Sequence, residues 1–255
     1  MKGKFLEERD YVENVPEGWK WVKLGDIADV RDGTHDSPKE AIDGKYLITS
    51  KHIKNGKIDF SKAYKISLDD FEAINKRSKV DKYDILFSMI GTIGEMVIVD
   101  FEPDFAIKNV GLFKTGNKDL SKWIYYYLKS NDARAKISVS LKGSTQRYIT
   151  LGDLRNLPIL LPPPEEQKVI ADILSTVQNA IEKTEKVINA TKQLKKSMMK
   201  HLFTYGAVAV DEIDKVKLKE SEIGLIPEHW EVVRLGEVGN YINGYAFKPS
   251  DWSNT

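Results

Sequence analysis

The chain contains no cysteine among its 255 residues, so disulfides, thiolate metal sites and a cysteine nucleophile are excluded. It also lacks an apolar run approaching the roughly twenty residues that span a membrane, and its charged start lacks a signal-peptide core. We therefore expect a cytoplasmic protein without membrane contact. The formal net charge is only +1, which argues against a strongly basic nonspecific DNA binder and leaves local patches for any nucleic-acid contact.

Sequence motifs of the common catalytic sites are also missing. There is no GxxxxGK[ST] phosphate loop, no GxGxxG turn after a strand and no GxSxG nucleophile elbow. The four histidines show no paired ligand spacing, so we predict no metal site. A Glu-x-Lys pattern at 166–168 resembles part of a nuclease motif, but acidic residues are also typical of the first turn of a helix. The sequence predicts no catalytic residue and no cofactor bound by this chain.

A long helix is predicted from the proline run that begins at Pro162. Proline suits the first helical turn, and Glu165 and Glu166 lie where the helix dipole favours negative charge. Apolar or small residues then recur in alternating steps of four and three, which predicts one helix over 162–206, roughly 60 Å long. The predicted pairing stripe consists of Ile173, Val177, Ala180, Ile181, Thr184, Val187, Ile188, Thr191, Leu194 and Met198. Its period favours a partner helix of similar length, and packing along its own domain is the alternative.

A segment near the start of the chain is similar in sequence to a segment near its end. VPEGWKWVKLGDIADVRDGT at 15–34 is followed, 211 residues later, by IPEHWEVVRLGEVGNYINGY. The identical residues are Pro16, Glu17, Trp19, Val22, Leu24, Gly25 and Gly33, which recur as Pro227, Glu228, Trp230, Val233, Leu235, Gly236 and Gly244. This predicts a tandem repeat. We divide the chain into a globular domain (1–161), a spacer helix (162–206) and the start of a second repeat (207–255), and we expect that last fragment to be disordered or to pack on another chain.

The globular domain is predicted to have a mixed α/β fold. Short runs rich in β-branched and aromatic residues, bounded by glycine and Asx residues, predict strands between Trp19 and Phe113. Asn55-Gly56 predicts a two-residue hairpin turn. Helices are predicted at 67–77, 120–130 and 133–141, the first of them capped by Ser67 or Asp69. The sheet is expected to be irregular and mostly antiparallel, and the long α-helix follows it.

Three polar loops contain side chains suited to nucleic acid. Glutamine and arginine can read base edges, whereas lysine, serine and threonine suit phosphate oxygens. The candidate contacts are Arg31, Thr34, His35, Lys51, His52, Lys54, Ser144, Thr145, Gln146, Arg147 and Tyr148. A solvated turn is the alternative for each loop. The lysines between 186 and 200 similarly suit either a phosphate backbone or a solvated helix face.

The order of several motifs resembles the specificity subunits of type I restriction-modification systems. The motifs are P-x-G-W-x-x-x-x-L-G-D at 16–26, DGTHDSP at 32–38, IKNGKID at 53–59, DILFSMIGTIGEMVIV at 84–99 and STQRYITLGDLRNLPILLPPPEEQKVIADIL at 144–174. The resemblance implies a non-catalytic reader of double-stranded DNA. In that family two target recognition domains each read half of a bipartite site, and an antiparallel coiled-coil pair of long helices sets the gap. The implied partners are methyltransferase subunits, which bind S-adenosylmethionine, and a restriction subunit.

This chain would supply one recognition domain and one long helix, about half of such a subunit. The resemblance then implies that two copies pair through their helices and read an inverted repeat with a fixed gap. The alternative is a coiled-coil interaction or scaffold module that does not bind DNA.

Overall fold

The structure is a computed structural model that describes residues 15–144, 147–246 and 248. The chain forms two compact units, which divide between Asn179 and Ala180. The strands of the first unit are β1 (Lys20–Lys23), β2 (Asp29–Asp32), β3 (Lys45–Thr49), β4 (Ile53–Lys54), β5 (Lys57–Ile58), β6 (Lys65–Ile66), β7 (Ile85–Ser88), β8 (Met96–Ile98), β9 (Phe105–Lys108), β10 (Val110–Lys114) and β11 (Pro158–Leu161). Its helices are α1 (Leu24–Ile27), α2 (Leu68–Ser78), α3 (Lys118–Lys129), α4 (Asn131–Val139) and α5 (Leu151–Arg155). The long helix α6 (Pro164–Tyr205) begins in the first unit.

A four-stranded antiparallel sheet, in the order β2-β10-β7-β8, forms the core of the first unit. All four residues of β7 are buried, as expected for a strand covered on both faces. On one face, Phe87 and Phe113 join Trp123 of α3 in a single apolar cluster. On the other face, Leu86 and Leu112 join a second cluster that extends into the neighbouring sheet. The central sheet is therefore covered by apolar clusters on both faces.

The neighbouring sheet has the order β6-β3-β9 and contains the one parallel pair, β3 with β9, among the described strands. The chain turns from β9 into β10 at Asn109, whose φ of 52° places it in the left-handed region. The predicted hairpin turn is also present, with Ile53 paired to Ile58 across Asn55 and Gly56. The mixed α/β class and the mostly antiparallel, irregular sheet are thus confirmed.

The three predicted helices are present as α2, α3 and α4, each within two residues of its expected start. Ser67 caps α2, because its hydroxyl accepts a hydrogen bond from the Asp70 backbone N–H at 3.1 Å. Ser130 ends α3 and caps α4 in the same way, through the Ala133 N–H at 3.2 Å. A short polar cap therefore fixes where each of these helices begins.

The start of the chain is held against the entry to α6. Strand β1 pairs with β11 in antiparallel register, Lys20 opposite Leu161. The Trp19 indole N–H donates to Glu166 in the first turn of α6 at 2.8 Å, and its ring meets Trp123 edge-on at 5.4 Å. The Glu-x-Lys pattern therefore lies in a helix start, where Glu166 accepts a structural hydrogen bond.

Helix α6 has 42 residues, which corresponds to roughly 63 Å. It begins two residues after and ends one residue before the predicted 162–206. Gln167 and Ala171 are its buried residues, whereas every residue of the predicted pairing stripe is exposed. Two stripe threonines bond internally: Thr184 donates to the Ala180 carbonyl and Thr191 to the Val187 carbonyl, both at 2.9 Å. Satisfied hydroxyls of this kind are cheaper to bury against a partner helix.

The second unit contains an antiparallel hairpin, β12 (Leu218–Ser221) with β13 (Gly224–Pro227), and a short helix α7 (Leu235–Val238). Helix α7 lies 211 residues after α1, so the sequence repeat is also a repeat of local structure. The Trp19 N–H bonds the Pro16 carbonyl, and the Trp230 N–H bonds the Pro227 carbonyl in the same way.

Leu24 is fully buried, whereas its counterpart Leu235 is 71% exposed. The described part of 207–255 forms these strands and this short helix, and its expected disorder stays a prediction. Its packing on another chain and the three domain boundaries stay predictions.

Candidate nucleic-acid interface

Several loops leave the two sheets at the same end. Strand β2 ends at Asp32 and β7 ends at Ser88, and both residues lie beside the start of β10. At the end of β9, Lys108 forms an isolated bridge with Thr34, and Thr49, which ends β3, lies opposite Lys108. We call this end the loop edge; it comprises residues 33–38, 50–56, 89–95, 109 and the described part of loop 142–148, which is 142–144 and 147–148.

A buried carboxylate fixes loop 33–38. Asp32 is 6% exposed, and the Arg77 guanidinium of α2 donates to its Oδ1 at 2.9 Å and to the carbonyl oxygens of Asp32 and Gly33. The other carboxylate oxygen lies 2.9 Å from His35 Nε2, and His35 Nδ1 lies 2.8 Å from Asn109 Oδ1. Both ring nitrogens of His35 are therefore engaged by protein oxygens, while its side chain stays 70% exposed.

Gly33 and Arg31 support the same loop. A Cβ added at Gly33 would lie 2.3 Å from the Ile107 carbonyl oxygen, so only glycine lets the backbone pass this close to β9. Arg31 donates to Asp29 at 2.8 Å and to the Arg77 carbonyl at 2.8 Å. Hydrogen bonds from Arg31 lower the pKa of Asp29 below 3.8. The Arg31 guanidinium thus braces β2 against the end of α2, and its contact with DNA stays a prediction.

Loop 50–56 presents lysines from a buried support. Lys51 and Lys54 are exposed, whereas His52 between them is 7% exposed. His52 Nδ1 accepts the Thr49 backbone N–H at 3.0 Å, and burial lowers the pKa of His52 below 6.5. His52 is therefore placed to hold the loop from inside, and a direct contact between it and DNA stays a prediction.

Loop 142–148 is closed at its base and anchored from below. Lys142 and Tyr148 exchange two backbone hydrogen bonds of 2.9 Å, and the Ile149 N–H donates to the Met89 carbonyl at 3.1 Å. Buried Asp153 accepts the Lys142 ammonium at 2.7 Å. Ser144, Arg147 and Tyr148 are exposed, and the predicted contacts Thr145 and Gln146 lie outside the described residues.

Two cavities flank His35. One, of about 300 Å³, extends under Tyr148, and the other, of about 430 Å³, lies between Thr34 and Arg77. The structure thus brings Thr34 and His35 to the same end of the unit as Tyr148, although more than 100 residues separate them in the sequence.

Sequence reasoning missed the residues that position these loops. Arg77, Asn109 and Asp153 belong to this edge or support it, and most of loop 89–95 fell within runs that were predicted to be strands. Asn109 had a usable signal, because asparagine between two apolar runs favours a left-handed turn. Arg77 had none, since an exposed helix residue looks the same whether or not it supports a loop. Asp153 follows Thr150 at the spacing of a helix capping box, but nothing local shows its ion pair with Lys142.

Within the described ranges, no group of three or more histidine, aspartate or glutamate side chains is arranged to hold a metal ion. No helix among them is long and apolar enough to cross a membrane.

Comparison with known proteins agrees with this architecture. A family model described as the type I restriction modification DNA specificity domain matches residues 16–193. The type I restriction enzyme MjaVIII specificity subunit of Methanocaldococcus jannaschii is 31% identical over 256 residues, covering 98% of this chain and 56% of that protein. The EcoDI specificity subunit of Escherichia coli is 24% identical over 258 residues, covering 94% of this chain and 53% of that protein.

The fold is also similar to that of a solved specificity subunit. The crystal structure of the type I restriction-modification S subunit from M. genitalium aligns with a TM-score of 0.53 at 20% identity, covering 75% of this chain and 47% of that one. This chain spans about half the length of these relatives. Because the matched family model covers more than half of the sequence, from residue 16 to residue 193, the chain belongs to the family of type I restriction-modification DNA specificity domains.

Proposed function

We propose that this chain reads one half of a bipartite double-stranded DNA target through its loop edge. The observation that carries the proposal is the convergence of loop 33–38, loop 50–56 and the described part of loop 142–148 at one end of the sheets. Exposed Lys51, Lys54 and Arg147 suit phosphate oxygens there. The supports beneath them are buried, so the exposed side chains are presented on a fixed frame.

A second copy of the chain would complete the reader by pairing along α6. The pairing stripe is apolar and exposed, including Ile173 at 59% and Leu194 at 59%. Residues 164–185 contain five acidic and two basic side chains, a net charge of −3, whereas residues 186–205 contain five lysines and no acidic residue, a net charge of +5. An antiparallel pair places each acidic half beside a basic half and also opposes the helix dipoles. Both effects favour antiparallel over parallel pairing.

Two copies related by a twofold axis would read an inverted repeat with a fixed gap. The chain itself would act without catalysis. Methyltransferase subunits that bind S-adenosylmethionine and a restriction subunit would supply the chemistry, as in the family to which the chain belongs.

The decisive experiment co-expresses the full chain with methyltransferase subunits and maps methylated bases by sequencing. A bipartite, palindromic methylated motif is the expected result. An asymmetric motif would contradict self-pairing. Absence of methylation, with the subunits shown to be bound, would instead favour the alternative of a scaffold module that does not bind DNA.

Helix orientation can be tested separately because the chain has no cysteine. Single cysteines are introduced at Val177, Thr184, Thr191 and Met198 along the stripe, and the oxidised proteins are analysed for crosslinked dimers. Antiparallel pairing allows self-crosslinking at no more than one of these positions, near the centre of the overlap. Crosslinking at all four positions would indicate parallel pairing, and sedimentation as a monomer at micromolar concentration would contradict the dimer.

A further inference from the structure

The smaller of the two cavities beside His35 has apolar walls. Its volume is about 300 Å³, and Met89, Ile90, Ile149 and Leu151 contribute to its lining. Three of these residues are fixed by structure: Met89 and Ile149 are buried and joined by a backbone hydrogen bond of 3.1 Å, and Leu151 begins α5. The Asp32 carboxylate also lines the cavity, but it is paired with Arg77 and His35, so the apolar walls leave no partner for a second charged group.

Polar side chains lie on one side of the same cavity. The polar lining residues are Asp32, His35, Asn109, Tyr148 and Thr150, and Tyr148 is 41% exposed. The hydrogen bond between His35 Nδ1 and Asn109 Oδ1, at 2.8 Å, holds the Asn109 side chain in one orientation. The amide oxygen has a second lone pair, and no hydrogen bond to a described residue engages the amide nitrogen, so both atoms can bond another group.

We propose that this cavity receives the 5-methyl edge of a thymine whose paired adenine meets the Asn109 amide. The inference rests on the proposed reading of DNA by the loop edge. The thymine methyl is the apolar group that base pairs display in the major groove, and asparagine forms a bidentate pair with adenine N6 and N7. An apolar pocket beside a fixed asparagine amide therefore matches an A·T pair. The cavity exceeds one methyl group in volume, so the C5–C6 edge of the pyrimidine enters with it.

The test uses the full chain with its methyltransferase subunits and duplexes of the mapped target. Each thymine is replaced in turn by deoxyuridine, which removes the methyl group and keeps the hydrogen-bonding edge. We expect one thymine in each half-site at which the replacement weakens binding about fourfold, equivalent to about 0.8 kcal/mol for one buried methyl group. Equal affinity for thymine and uracil at every position, or a half-site without thymine, would overturn the proposal. Loss of all sequence-specific binding would instead count against the proposed function.

A substitution that fills the cavity provides a second measurement. Ile90→Phe should abolish the difference between thymine and uracil, and it should weaken binding of both duplexes because the C5–C6 edge of either base can no longer enter the cavity. Thr92→Phe introduces the same ring in the same loop, outside the cavity lining, and should retain the fourfold difference. A retained difference in Ile90→Phe would overturn the assignment of the cavity.

A third duplex separates thymine from other methylated pyrimidines. At the sensitive position, 5-methylcytosine paired with guanine keeps the methyl group but presents guanine O6, an acceptor, where adenine presents a donor. We expect this duplex to bind more weakly than the uracil duplex. Full recovery of affinity would overturn the pairing of adenine with Asn109.

Discussion

Replacing Asp153 with alanine should affect both folding and DNA binding, because this carboxylate anchors loop 142–148. Its Oδ2 accepts the Lys142 ammonium at 2.7 Å, the Thr150 N–H at 3.2 Å and the Thr150 hydroxyl at 2.5 Å. Thr150 in turn accepts the Asp153 N–H at 3.1 Å, which completes a capping box at the start of α5. One substitution therefore removes an ion pair and half of a helix cap.

The expected loss of stability can be worked out from these contacts. Lys142 has a side chain that is 49% exposed, so its ion pair contributes no more than about 1 kcal/mol. The Thr150 donors bond a nearly buried charged oxygen, and such bonds contribute about 1.5–3 kcal/mol. We expect the Asp153→Ala variant to lose about 2–4 kcal/mol in the free energy of unfolding, measured by urea denaturation. Lys142→Ala should lose less than about 1 kcal/mol and yet weaken DNA binding, because it also frees the loop.

Asp104→Ala is a matched control for this experiment. Asp104 also pairs with a lysine, Lys45, at 2.6 Å, but its side chain is 65% exposed and it precedes β9 at the end away from the loop edge. This variant should stay within about 1 kcal/mol of the wild type and bind DNA unchanged. An Asp153→Ala protein that matches the Asp104→Ala control in both stability and DNA affinity would refute the anchoring role.

The remaining predictions concern stability. Lys114 donates to buried Asp84 at 2.6 Å, so Lys114→Met should lose about 3–5 kcal/mol, whereas Lys79→Met, at an exposed pair, should lose under about 1 kcal/mol in the same urea titration. Burial opposes the charge of Lys114, but its hydrogen bonds to Asp81 and Asp84 raise its pKa above 10.5. The stabilising contribution of Lys114 is therefore complete below pH 10.5 and is lost as the pH rises through the folded-state pKa. Thermal melts of wild type and Lys114→Met should converge at that higher pH. Although burial raises it, hydrogen bonds from Lys142 and Thr150 lower the pKa of Asp153 below 3.8, so the stability difference between wild type and Asp153→Ala should shrink as the pH falls below 3.8. Gly33→Ala should lose about 1–3 kcal/mol because its Cβ would meet the Ile107 carbonyl at 2.3 Å, whereas Gly236→Ala, with open space around it, should stay within about 0.5 kcal/mol in calorimetry.

Elements set by local chemistry were predictable from the sequence. The Asn55-Gly56 turn, the cap at Ser67 and the start of α6 depend on residues within a few positions of each other, so a single sequence contains the whole signal. The offset of 211 residues likewise carried over into local structure, since the turn after Pro16 returns after Pro227. Each of these features arises from short-range backbone preferences.

The candidate site was harder to predict from the sequence, because its geometry depends on contacts between residues that are distant in the chain. Nothing local shows that Arg77 would bond Asp32, 45 residues earlier, or that Asn109 would lie 2.8 Å from His35. His52 illustrates the same limit: its sequence neighbours Lys51 and Lys54 are exposed, yet His52 is buried and accepts the Thr49 N–H in the short helical turn that follows β3. Burial of polar side chains follows from the fold and not from the residue type.

The division between supports and exposed side chains has a consequence for specificity. Asp32, His52 and Asp153 hold the loop edge from below and are buried, so replacing any of them leaves a donor or acceptor unpaired and costs stability. Lys54 and Arg147 are exposed, and their replacement changes what the edge can contact at little cost to folding. Under the proposed function, replacing exposed loop residues can change the target while the frame and the long helix stay the same. Grafting loop 142–148 from a relative should therefore move sequence preference, provided that Lys142 and the Asp153 anchor are kept.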